Sequence, residues 1–159
     1  MTEAEALAML DDLYGQLPAI ECKGLCHDTC TSIDASELER RRIAAAGVNL
    51  PDEPAADRVA RLRPDAHGLV DVARARPEDR RCPALGPLNN CTVYEVRPFV
   101  CRAFGLVHQR ENPLPHTGPM MCDHGCIPDG TISLAEFGRI VVAIERLSQE
   151  VTGVARLPL

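Results

Sequence analysis

The sequence predicts a mainly α-helical single domain with a small β-hairpin. Three observations carry the prediction. Helix start signals followed by apolar residues at helical spacing stand near both ends of the chain. Strand-like residues flank a turn-forming stretch at Gly86 to Asn90. The length of 159 residues suits one domain running over 1–159. The large apolar side chains are few, with no Trp, two Tyr and three Phe, and Ala supplies much of the 45% hydrophobic content. A core of this kind is thin, and something beyond apolar burial is expected to supplement it.

Taken in order, Thr2-x-x-Glu5 is a capping-box pattern, and Leu7, Leu10, Tyr14 and Leu17 follow at helical spacing before Pro18 closes the helix. In "SIDASELERRRIAAAGV", Asp34 with Glu37 three residues on is a second start signal and Gly47 a stop, which predicts a helix over about 35–46. Prolines at 51, 54, 64, 77, 83 and 87 argue against long regular elements. One short helix fits between Pro54 and Pro64, and "GLVDVARA" reads as a strand. "RCPALGPLNNCTVYEV" gives the hairpin, two short strands around the turn at Gly86 to Asn90. Arg97-Pro98 opens a short helix carrying Cys101 and Arg102, with Phe104 near its end. Residues 105–121 read as loop. Ser133-x-x-Glu136 then starts an amphipathic, core-covering helix over about 134–152, with Leu134, Phe137, Val141, Ile144, Leu147 and Val151 on one stripe and Gly153 as its stop.

The formal net charge of -6 and the absence of a long basic run exclude a nucleic-acid binder. Arg40-Arg41-Arg42 and Arg80-Arg81 are short enough to read as solvated positions. The N-terminus is acidic and lacks the basic and apolar regions of a signal peptide. No apolar stretch approaches the roughly 18 residues of a membrane span. The expectation is a soluble, cytoplasmic protein with no membrane partner. All its cations but Lys23 are Arg, which fits codon bias in a GC-rich bacterial genome.

Eight cysteines fall in three groups: Cys22, Cys26 and Cys30; Cys82, Cys91 and Cys101; Cys122 and Cys126. In a reducing compartment, clustered thiols read as metal ligands rather than disulfides. Thiolates are soft and select zinc, iron-sulfur clusters or copper(I) over hard cations. No C-x2-C occurs, every close pair being C-x3-C, which argues away from a zinc ribbon and tips the balance towards iron. The stretch "CKGLCHDTC" offers three thiols, one short of a four-coordinate zinc or a cubane, so the fourth must come from elsewhere in the chain. All eight cysteines are therefore candidate ligands, of two four-thiolate sites or of one site plus reactive thiols, and the grouping stays open. The fold class thus becomes a single compact domain organised around cysteine-ligated metal, the cofactor being an iron-sulfur cluster of the 4Fe-4S type or zinc.

His27 and His124 lie inside cysteine groups and are alternative ligands. Glu95, Arg97 and Arg102 flank the central cysteines, where guanidinium groups would offset thiolate charge and orient the site; plain ion pairing explains them equally well. The C-x3-C-x3-C run also resembles the radical-SAM signature, but that motif ends in C-x2-C and needs a barrel larger than this chain.

"CPALGPLNNCTVYEVRPFVCRAFG" resembles the central block of the YkgJ-type cysteine-cluster family, through Cys82, Leu85, Cys91, Val93, Tyr94, Glu95, Arg97, Pro98, Cys101, Arg102 and Phe104. The likeness covers about residues 20–105, including the cysteine run and the Arg-rich helix after it. Many members carry adjacent cysteines at the end of the first run, where this chain has Cys30 followed by Thr31. The resemblance implies zinc or iron chelation through these cysteines and implies no reaction; a related cluster module appears in a flagellin lysine methylase.

The function expected is metal binding with a structural, electron-transfer or metal-handling role. Two alternatives stand beside it: an accessory or catalytic metalloenzyme module acting on a protein or small molecule, and a thiol redox protein. No Gly-rich phosphate loop, nucleophile elbow or paired carboxylates beside a His support an enzyme independently. The absence of C-x2-C weighs against the redox protein.

Overall fold

The computed structural model describes residues 1–21, 35–50, 82–107, 126 and 128–156. The first cysteine run, Cys122, His27, His124, the Arg80-Arg81 pair, the short helix between Pro54 and Pro64, the "GLVDVARA" strand and the loop beyond Val107 fall outside these residues. Within them lie four α-helices, α1 (Glu3–Tyr14), α2 (Glu37–Ala45), α3 (Phe99–Arg102) and α4 (Leu134–Thr152), and one 3-10 turn, Tyr94–Val96.

Local chemistry sets the helix ends. Thr2 and Glu5 close a complete capping box on α1, and Gly153 ends α4 in the left-handed region at φ 73. The start of α2 differs from expectation. Its box is Ser36 with Glu39, two residues later than Asp34 with Glu37, because the Glu39 carboxylate is buried and bonded to Ser36 on one side and to more distant partners on the other. Gly47, at φ 91, follows the end of α2 as the stop signal requires.

α4 packs against both α1 and α2. It buries Ile140, Ile144 and Leu147, with Phe137, Val141 and Val151 at the margin, whereas Leu134 is exposed. Ala6, Leu10 and Tyr14 of α1, Leu38 of α2, Phe99 of α3, and Ala103, Val107 and Ile132 outside the helices join them in this main core. Phe99 lies between Tyr14 and Phe137, with ring centroids 6.3 and 5.4 Å away. In the Arg40–Arg42 run Arg41 is exposed as expected, while Arg40 and Arg42 are half-buried, and all three have partners. Arg42 pairs with Asp11 at 2.6 Å, Arg41 with Glu3 at 3.1 Å, and Arg40 donates to the Leu50 carbonyl at 2.8 Å, so α2 is laced to α1 and to its own exit loop.

The expected hairpin reduces to one antiparallel bridge, Leu85 with Cys91, and no strand occurs among the described residues. The turn takes the expected residues, with Gly86 N–H donating to the Asn90 carbonyl at 2.8 Å and Asn89 at φ 59. Pairing stops after Thr92 N–H reaches the Ala84 carbonyl, because Val93 is buried and the chain coils at once into the 3-10 turn. Two further bridges, Ile20 with Pro128 and Val107 with Ile132, tie distant segments together. No described helix is long and apolar enough to cross a membrane.

Candidate metal centre

Cys82 opens the central loop and is buried in a small apolar cluster with Ile43, Ala84 and Val93, with Leu85 and Cys91 packed against it. Burial pushes the Cys82 thiol up from its ordinary range, and the neighbouring Cys91 adds to this. The nearby backbone amides of Ala84 and Leu85 pull the other way, and the Leu85 N–H itself donates to the Cys82 carbonyl at 3.0 Å. A bound cation would offset the desolvation that opposes a thiolate here. None of Cys82, Cys91, Cys101 and Cys126 is in a disulfide.

Cys101 sits on α3, and the residues before it form the support for that helix. The Pro98 carbonyl accepts from the N–H groups of Cys101 at 3.0 Å and Arg102 at 3.1 Å. Arg102 donates to the carbonyls of Arg97 at 2.9 Å and Glu95 at 2.5 Å, bracing the 3-10 turn against α3. Its guanidinium lies 4.5 Å from the centre of the Tyr14 ring, and burial lowers its pKa from the ordinary value. Arg97 stacks over Tyr94 at 4.0 Å, and its buried Nε has no acceptor among the described residues. The Glu95 side chain is exposed, and its backbone carbonyl is what enters this network.

Cys126 is half-buried and lies two positions before Pro128. The Ile20–Pro128 bridge, with Asp129 N–H on the Ala19 carbonyl at 3.0 Å, sets the chain approaching Cys22 beside the chain leaving Cys126. Among the described residues no three Cys, His, Asp or Glu side chains gather closely enough to hold an ion. The described chain brings Cys82 and Cys91 together and carries Cys101 and Cys126 on separate supports.

Sequence reasoning missed Glu39 and Tyr14. The Glu39 carboxylate accepts from Tyr14 Oη at 2.7 Å, Ser36 N–H at 2.8 Å, Ser36 Oγ at 2.9 Å and Phe99 N–H at 2.7 Å. The signal available was the Ser36-x-x-Glu39 box itself. The donor set, two cysteine sulfurs brought together at a small apolar cluster, fits a soft cation or an iron-sulfur centre.

Neither the curated proteins nor the solved structures contain a match to this chain. The model of the CxxCxxCC family, described as "Putative zinc- or iron-chelating domain", matches residues 21–139, well over half of the chain and a span that takes in every cysteine, and the chain belongs to that family.

Proposed function

We propose that this chain is a metal-binding protein in which cysteines of its three groups hold an iron-sulfur cluster, or a zinc ion with the same thiolate chemistry. The observation that carries the reading is Cys82, a buried thiol with Cys91 packed against the same small apolar cluster. Two thiols drawn together within one loop of a cysteine-rich chain supply part of the soft donor set that zinc or an iron-sulfur centre takes. Cys22, Cys26, Cys30, Cys101, Cys122 and Cys126 are the further ligands of this reading. Arg97 and Arg102 offset thiolate charge or hold the backbone, and His27 and His124 are substitute ligands.

The second support is energetic. Among the described residues the cluster beneath the central loop has four buried members, Ile43, Cys82, Ala84 and Val93, two of them small. One bridge and one 3-10 turn add little order to it. Coupled metal binding contributes on the order of 10 kcal/mol to small thiolate modules, about the net stability of a whole domain. The role is structural, electron-transferring or metal-handling.

The test is anaerobic purification followed by elemental analysis, sulfide assay and visible absorption. Bound iron with acid-labile sulfide identifies the cluster, and stoichiometric zinc without sulfide identifies the zinc form. Chelation is expected to unfold the central loop and lower the thermal midpoint. Metal-free protein with unchanged circular dichroism and melting would sink the reading.

A further inference from the structure

We propose that Glu39, held in place by Tyr14 and Ser36, is a positioning residue that presents Cys101 to the metal; the inference rests on the metal-binding reading above. α3 has only four residues, too few to hold its own geometry. Its first helical amide, Phe99 N–H, donates to Glu39 Oε1 at 2.7 Å. The acceptor cannot drift, because Tyr14 Oη donates to the same oxygen while Ser36 N–H and Oγ occupy the other. The carboxylate is 2% exposed, so water does not compete for these bonds.

The far end of α3 is anchored to the same pair. Arg102 lays its guanidinium over the Tyr14 ring and bonds to two carbonyls of the preceding turn. Cys101 lies between these anchors. A capping box on α2 requires only the Ser36–Glu39 exchange. The Tyr14 and Phe99 bonds exceed that need, and both act on the segment carrying Cys101. Metal sites tolerate little looseness in a ligand, so a support of this kind governs affinity.

The experiment uses the full chain, reduced and metal-free, titrated with Co2+ against a competing chelator. The sulfur-to-cobalt charge-transfer band reports how many thiolates bind. Glu39→Gln keeps the shape but turns one oxygen into an amide donor, facing either Phe99 N–H or Ser36 N–H. It is expected to weaken Co2+ about 10- to 100-fold and to reduce the band to that of Cys101→Ser. In a Cys101→Ser background the same change is expected to alter affinity by no more than about twofold. Equal losses in both backgrounds, or no loss in either, overturn the proposal. Where Glu39→Gln does not fold, Tyr14→Phe, which leaves Phe99 N–H its acceptor, carries the same comparison with a smaller loss. A parent chain that takes up no Co2+ overturns the metal reading and this inference with it. A parent that binds while Glu39→Gln binds equally tightly overturns only this one.

Discussion

The backbone N–H of Leu38 donates to Ser148 Oγ at 3.0 Å, across 110 positions of sequence. Leu38 is in the first turn of α2, where amides have no partner within the helix, so a side chain of α4 supplies the acceptor. Both residues are fully buried. Ser148→Ala leaves that amide without acceptor or water and is expected to cost about 1–3 kcal/mol. Urea unfolding checks it, and a loss within error of zero would show that the bond contributes nothing net.

Tyr14 gives a pH dependence. Burial is the largest cause raising its pKa above the ordinary 10.0, and the charge and hydrogen bond of Glu39 add to it, while Arg102 and Arg42 oppose. Below pH 10 the phenol is neutral in both folded and unfolded chains, and its contribution is complete. Above that, the unfolded chain releases the proton and the folded chain keeps it, so stability falls with rising pH by up to about 1.4 kcal/mol per unit. Tyr14→Phe is expected to cost about 2 kcal/mol near neutrality, one hydrogen bond to a buried carboxylate. Its deficit should shrink steadily above pH 10. A deficit that stays constant across that range contradicts the assignment.

How much of this was legible in advance follows from where each signal acts. α1 and α4 announce themselves because capping pairs and apolar stripes are local, and the limits of α4 fall where Ser133 and Gly153 place them. The start signal read for α2 is Asp34 with Glu37, and only contacts from Tyr14 and Phe99, far away in sequence, select Glu39 instead. The hairpin failed for a similar reason, since burial of Val93 turns the chain aside before a ladder can form. Buried polar residues were invisible as such, although Glu145 and Ser148 sit beside the apolar stripe of α4 and could have been suspected there. Of the site, the residue types were plain and their convergence was not, because thiol spacing does not encode loop paths.

Glu145 makes the tail beyond α4 structural. It is fully buried, Oε1 accepts the Arg156 N–H, and Oε2 has no donor among the described residues. Arg156 also pairs with Glu37 at 2.5 Å. Arg156→Ala removes the guanidinium but keeps the N–H, and is expected to cost at most about 1 kcal/mol. Ending the chain at Ala155 strips a buried carboxylate of its donor and should cost about 3 kcal/mol. Adding Glu145→Gln to the shortened chain should recover part of that loss, because a neutral side chain is cheaper to bury. Equal losses for Arg156→Ala and the shortened chain would refute the role given to the N–H.

Two glycines separate backbone effects from site effects. Gly138 lies within α4, and a Cβ built there meets nothing within 4 Å. Gly138→Ala removes conformational freedom from the unfolded chain without a clash, and should stabilise by about 0.5–1 kcal/mol with metal uptake unchanged. Gly86 sits in the turn between Cys82 and Cys91, where a Cβ would fall 2.9 Å from Asn90 Oδ1 and 3.1 Å from Thr92 Cγ2. Gly86→Ala must push those neighbours aside, at about 1–3 kcal/mol, and the strain falls on the loop that holds the two cysteines together. Weaker Co2+ uptake is therefore expected from Gly86→Ala and not from Gly138→Ala. Uptake that is equal in both would mean that the spacing of Cys82 and Cys91 does not depend on this turn.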